Sequence, residues 1–247
     1  MDPQKERRYE WVWLWMSLGD VALGQRQFAT AREHYDRARE KAGKSEFESA
    51  VIDGCLADLL AAQDDWDHAI DLALASREVR KNHQDCFGVA LTLDTEGRAL
   101  CGKGQWTEAA KRLEEGANLA RDRHWASLES RLTLSLAESY SRSGSQQFMV
   151  AADLVDKLAN EQAYFDHLAR LQFLLGERSV KQPDIAGAVK HFDAALEFAG
   201  KFNRWLVDAT LDDIVTVSAG SASGELAKYA GLQSSRRLMS KAKASAD

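Results

Sequence analysis

The chain has 247 residues, 45% of them apolar and 28% charged, the balance of a folded rather than a disordered polypeptide. Its formal net charge of −6 speaks against direct nucleic-acid binding, which needs a basic footprint on the phosphate backbone. No apolar run approaches the ~20 residues that span a bilayer, and with only two prolines, Pro3 and Pro183, the composition favours long uninterrupted helices.

A bulky apolar residue followed three positions later by alanine recurs along the chain: Phe28 and Ala31, Trp66 and Ala69, Trp106 and Ala109, Phe148 and Ala151, Ile185 and Ala188. The intervals are 38, 40, 42 and 37 residues, which predicts a stack of similar supersecondary units. In the first unit Trp15, Leu18, Gly19 and Ala22 belong to one helix, and Phe28, Ala31, Tyr35 and Ala38 to the next. Ahead of it stands Trp11-Val-Trp13-Leu-Trp15. At 100° per residue Trp11 and Trp15 share a face and Trp13 points away. Trp15 is therefore expected in the core, with Trp13 and Met16 towards the concave side or the open end of the array. Two readings stay open: the segment Gln4–Tyr9 folds over these residues, or they form a surface for a partner or a second copy.

The second unit carries Leu56, Ala57 and Leu60, then Trp66, Ala69 and Ala73, with Asp64, Asp65 and Asp67 expected to cap its second helix. The third has Leu93, Gly97 and Leu100, a turn at Gly102–Gly104, then Trp106, Ala109 and Leu113. The fourth has Leu136, Ala137 and Tyr140, a turn at Ser143-Gly144 that is about two residues longer, then Phe148, Ala151 and Val155. The fifth has Leu175 and Gly176, an Asp184 N-cap, then Ile185, Ala188 and Phe192. Beyond Gly200 the pattern fades. Trp205 to Val217 reads as one amphipathic helix, Ser218–Gly224 as a flexible break, and 225–243 as a last helix with the basic residues Arg236, Arg237, Lys241 and Lys243.

Trp15-x2-Leu18-Gly19-x2-Ala22, followed by Ala31-x3-Tyr35, resembles the tetratricopeptide repeat, whose pattern is Trp-x2-Leu-Gly-x2-Tyr, then Ala-x3-Phe and a later Pro. Ala22 replaces the family tyrosine, and Gly43 stands where the closing proline would be. The interval exceeds the usual 34 residues and is similar to the long repeats of polarity scaffolds, kinesin light chains and STAND regulators. The resemblance implies an all-α, right-handed solenoid of about five helix pairs over residues 1–201. Residues 202–247 would form a capping helix or a degenerate sixth repeat.

It also implies that the first helix of each pair lines a concave groove. The matching positions are Trp13, Met16, Asp20 and Leu23; Gly54 and Asp58; Asp94 and Arg98; Arg131, Leu134, Glu138 and Arg142; and Arg170, Phe173, Glu177 and Lys181. The early units present Asp20, Asp58 and Asp94, and the later ones add Arg98, Arg131, Arg142, Arg170 and Lys181. Such a groove, acidic at one end and basic at the other, would orient a partner peptide. The alternative is that these are ordinary solvated charges. The family's chaperone-tail clamp needs groove Lys and Asn, and the four asparagines lie elsewhere.

There is no HExxH, no paired Cys/His spacing, no P-loop and no GxSxG, so no metal, cofactor or catalytic role is expected. Cys55, Cys86 and Cys101, odd in number and without a CxxC, fit reduced thiols of a cytoplasmic protein, and the charged start has no signal-peptide core. The expected function is a non-enzymatic interaction scaffold or adaptor that binds a protein or peptide in its groove. The alternative is a ligand- or peptide-sensing domain of a signalling or transcription regulator. A homodimer through the N-terminal Trp cluster or the C-terminal helix is a further expectation.

Overall fold

The turns between helices are short, and each of the first eight is held by one residue in left-handed backbone. Arg26, Gly43, Asp64, Gln84, Gly104, His124, Gly144 and Ala163 all have φ between 56° and 74°. That conformation reverses the chain and returns an amide to the outgoing helix, as when the N–H groups of Gln27, Asp65 and Gln105 donate to the carbonyls of Ala22, Leu60 and Leu100. The computed structural model describes the backbone of residues 3–219, 221 and 223–244, and the side chains of 9–219, 221 and 223–239. The expected fold of Gln4–Arg8 over the tryptophans, the charges of Lys241 and Lys243, and Gly220 and Ala222 of the predicted break lie outside the residues so described.

Twelve helices and no strand are present among the described residues. They are α1 (Pro3–Gly24), α2 (Phe28–Ala42), α3 (Glu46–Ala62), α4 (Trp66–Asn82), α5 (Cys86–Gly102), α6 (Trp106–Asp122), α7 (Ala126–Ser143), α8 (Phe148–Gln162), α9 (Phe165–Lys181), α10 (Ile185–Phe202), α11 (Arg204–Ser218) and α12 (Gly224–Ala244). The recurring bulky residue is the first residue of every second helix from α2 to α10. Side-chain caps hold several starts. Asp85 accepts from the Gly88 amide and Asp184 from that of Gly187, both at 2.9 Å, and Asn203 from that of Leu206 at 2.7 Å. Asp65 departs from the expectation. It sits at the N-cap of α4, but its carboxylate turns to His68 Nδ1 at 2.7 Å and caps no amide.

Close packing inside each pair explains the small residues. Gly19 faces Tyr35, Gly97 faces Leu113 and Gly176 faces Phe192, and a Cβ at any of the three glycines would fall 2.3–2.4 Å from that side chain. Ala31, Ala69, Ala109 and Ala188 are fully buried. Trp66 does more than join its own two helices. Its indole lies where a Cβ on Gly102 of α5 would stand, so it also ties one pair to the next.

The chain divides into two compact units, Met1–Ser145 and Gln146–Asp247. The division falls in the lengthened turn of the fourth pair, whereas the repeat pattern expects a boundary at 201/202. In the N-terminal unit each helix packs on its chain neighbours, and α1 meets α3, α3 meets α5 and α5 meets α7, so the first helices form one layer. In the C-terminal unit α9 and α10 pair, α11 packs on both, and α12 packs on α10 and α11.

Candidate functional site

The first-helix layer of the N-terminal unit carries a chain of polar contacts that steps from one pair to the next. On α1, the Tyr35 hydroxyl donates to Asp20 Oδ1 at 2.7 Å. On α3, Asp58 accepts from Thr95 Oγ1 at 2.7 Å and from Arg98 Nη2. On α5, Asp94 is 0% exposed and accepts from Arg98 Nε at 3.1 Å, Arg131 Nε at 2.8 Å and Ser135 Oγ at 2.7 Å. The partners of Asp58 lie 37 and 40 residues on, and the α7 partners of Asp94 lie 37 and 41 residues on, so each link spans one repeat.

The electrostatics follow from that geometry. Burial pushes the Asp94 carboxyl up, but Arg131, Arg98 and the Ser135 hydroxyl outweigh it and hold the group below its ordinary range. Burial would lower Arg98, and Asp94 and Asp58 reverse that, so the guanidinium stays charged. Asp20 moves upward, chiefly through burial, with Tyr35 opposing. Arg98 and Arg131 keep 36% and 40% of their side chains exposed, and among the described residues no partner is bonded to Arg98 Nη1 or to either Nη of Arg131. Two guanidiniums are thus pinned from below through Nε with donors left over on the solvent side.

Asp58 and Asp94 are interleaved with Arg98 and Arg131, because burying a carboxylate is costly unless a partner such as a cation compensates it. The other expected residues divide by position within the repeat. Three residues before the small residue of each first helix stand Met16, Gly54, Asp94, Leu134 and Phe173. Leu134 is half-buried and the other four are buried. Met16 (4% exposed) sits in the core with Val12, Tyr35 and Ile52, Gly54 lies under Ser76 and Arg80, and Phe173 packs on Phe192 at 6.1 Å. Met16, Gly54 and Phe173 are therefore core positions rather than groove positions, because the neighbouring helices close over that side. Asp94 is a charge in the slot where other repeats place apolar or small residues.

Trp13 is exposed and meets Tyr9 edge-on at 5.7 Å, while Trp15 stacks on His34 at 5.4 Å and packs on the core, and Leu23 is half-buried against it. Glu138 and Arg142 pair along α7 at 3.9 Å. In the C-terminal unit Arg170 bonds Asp213 at 3.1 Å and covers the Phe173 ring at 5.0 Å, and Lys181 pairs with the buried Glu177 at 3.2 Å. The residues that sequence reasoning missed are Tyr35, Thr95 and Ser135 as hydrogen-bond donors. For Thr95 and Ser135 the signal was present: a hydroxyl one repeat after Asp58 and another one repeat after Asp94.

Elsewhere, burial raises the thiols of Cys55 and Cys101, the latter to about 11, and all three cysteines are free of disulfides. Among the described residues no three His, Cys, Asp or Glu side chains gather as a metal site, and no helix is long and apolar enough to cross a membrane.

No protein-family model and no curated protein matches the sequence. Solved structures do match in fold. A Rap protein complexed with competence and sporulation factor superposes with a TM-score of 0.75 at 16% identity, covering 94% of this chain and 66% of that one. Aspartyl phosphate phosphatase F from Bacillus subtilis gives 0.69 at 14%, covering 97% and 64%, and the apo form of RapI gives 0.65 at 13%, covering 93% and 85%. The chain spans about two thirds of the length of the first two. At these identities the likeness concerns fold, and together with the helix pairs above it makes this chain a helical solenoid of the tetratricopeptide-repeat type.

Proposed function

We propose that this chain is a non-enzymatic interaction protein, an adaptor whose first-helix layer in the N-terminal unit holds a segment of a protein partner. The observation that carries the reading is the pair Arg98 and Arg131, anchored through Nε on fully buried Asp94 with further N–H donors left towards solvent. A guanidinium fixed in this way loses little side-chain freedom on binding and matches a carboxylate with two parallel hydrogen bonds. The partner segment is accordingly one with acidic side chains or a carboxylate end. Three acidic groups of the layer are engaged in internal bonds, Asp58 and Asp94 to arginines and Asp20 to Tyr35.

Replacing Arg131 with Gln tests this, because Gln retains one donor for Asp94 and removes the outward charge. Partner proteins retained from native lysate by the wild type and identified by mass spectrometry should be retained several-fold less by Arg131→Gln, with the wild-type interaction weakening as salt is raised. Equal retention by the two proteins would remove this layer as the binding surface.

A second reading is a sensor domain whose ligand shifts the packing of the helix pairs. It draws on one similar structure, the Rap protein complexed with a separate factor. A small metabolite that raises the unfolding midpoint more than acidic peptides do would favour the sensor over the adaptor.

A further inference from the structure

Over Trp11–Gly19 helix α1 carries no charged residue. Its inner side, with Val12, Met16, Gly19 and Ala22, is buried against α2 and α3. Its outer side carries Trp11, Leu14, Leu18 and Val21, each between 39% and 58% exposed. These four follow the i, i+3, i+7, i+10 spacing and at 100° per residue fall within about 80° of one another, which makes a continuous seam. The seam is distinct from the side bearing Trp13 and Asp20. A helical stretch that is apolar all round is the kind that packs on neighbours on every side. Along Trp11–Gly19 helix α1 has the composition of an internal element, yet among the described residues nothing covers its outer side.

We propose that the seam is covered by α1 of a second copy of this chain, packed antiparallel about a two-fold axis. Three observations choose this occupant. First, nine consecutive residues, Trp11 to Gly19, carry no charge, so self-pairing brings no like charges together along the seam. Second, the side-chain sizes are self-complementary in the antiparallel sense. With the axis beside Met16, Trp11 meets the partner's Val21 and Leu14 meets the partner's Leu18, large against small and equal against equal, as an isologous interface requires. Antiparallel helices also place opposite dipole ends together, which parallel packing would not. Third, the area suffices. From their fractional exposures the seam and its flanks Glu10 and Ser17 offer roughly 450–500 Å² per copy. Two copies then bury on the order of 900–1,000 Å², the range of a weak specific interface, so the dimer is concentration-dependent.

Light scattering coupled to size exclusion tests this on the full chain. The wild type should approach twice the monomer mass as concentration rises. Leu14→Lys and Leu18→Glu should each be monomeric while keeping the wild-type helical circular dichroism, since both positions are on the surface. An equimolar mixture of the two should recover the dimer mass, because antiparallel packing sets Lys against Glu at one contact and leaves Leu against Leu at the other. A wild type that stays monomeric throughout overturns the proposal, including the case in which only a different protein covers the tryptophans. So does either variant dimerising alone, and a mixture that stays monomeric overturns the antiparallel arrangement.

Discussion

Helices α1 and α5 occupy equivalent places in their repeats and reverse the usual distribution of polarity. Helix α5 hides Asp94 and Glu96, each no more than 1% exposed, while α1 presents tryptophans and leucines to solvent. The difference comes from neighbours. Helix α5 is enclosed by α3, α4, α6 and α7, and each of its buried charges is met from an adjacent helix, Asp94 by Arg131 of α7 and Glu96 by Arg77 of α4 at 3.0 Å. Among the described residues helix α1 is met only by α2 and α3. A buried charge is tolerable where partners converge, and an apolar surface persists where they are missing. Interior position in the array, rather than local sequence, decides which of the two a first helix can support.

The largest expected effect breaks the α5 side of this contrast. Asp94→Ala removes the common acceptor of Arg98, Arg131 and Ser135 and should destabilise the N-terminal unit by about 3 kcal/mol, below the upper range for buried pairs because both guanidiniums can turn to solvent. Denaturant unfolding followed by circular dichroism would measure it, and a loss under ~1 kcal/mol would show that the contacts contribute little.

A second effect separates the two buried carboxylates of α5 by pH. Asp94 lies below its unfolded value, so its contribution is present above about pH 3.9 and is lost as pH falls through the depressed folded value. Glu96 behaves oppositely. Burial, only partly offset by Arg77 and Arg112, raises it to about 7, so its contribution is complete below about pH 4.3 and is lost as pH rises through 7. The unfolding midpoint should therefore decline between about pH 4.3 and 7 by the equivalent of roughly 3 kcal/mol. Glu96→Gln should flatten that limb and leave the acid limb intact, and an unchanged limb would mean that Glu96 titrates normally.

The smallest effect lies on α1. Trp11→Ser should alter the stability of the monomer by no more than about 0.5 kcal/mol, because the ring is nearly half exposed. A large loss measured at a concentration where the chain is monomeric would mean that Trp11 belongs to the core after all, and the contrast with α5 would fail.

Helix starts were directly legible. Phe28, Trp66, Trp106, Phe148 and Ile185, read as a period, are the first residues of α2, α4, α6, α8 and α10. The glycines at the crossings were legible for the same reason, since Gly19, Gly97 and Gly176 each face a bulky residue sixteen positions later, a spacing set within one helix pair. The candidate site was legible in part. Asp58, Asp94, Arg98 and Arg131 were placed on the first-helix layer, but the repeat alone could not show that they bind one another. Met16 and Phe173 were misplaced because the side of a helix that lies next to the groove is closed by adjacent helices, and helical angle alone carries no information about a neighbour.

By itself, then, the amino-acid sequence determined the helix pairs, their number and their internal contacts, because these depend on residues within about 40 positions and on a period that local sterics enforce. Tertiary structure alone decided which charges are buried, which of them are paired and which apolar surface is left uncovered. Those outcomes depend on how many neighbours each repeat acquires, and that is set by its place in the stack.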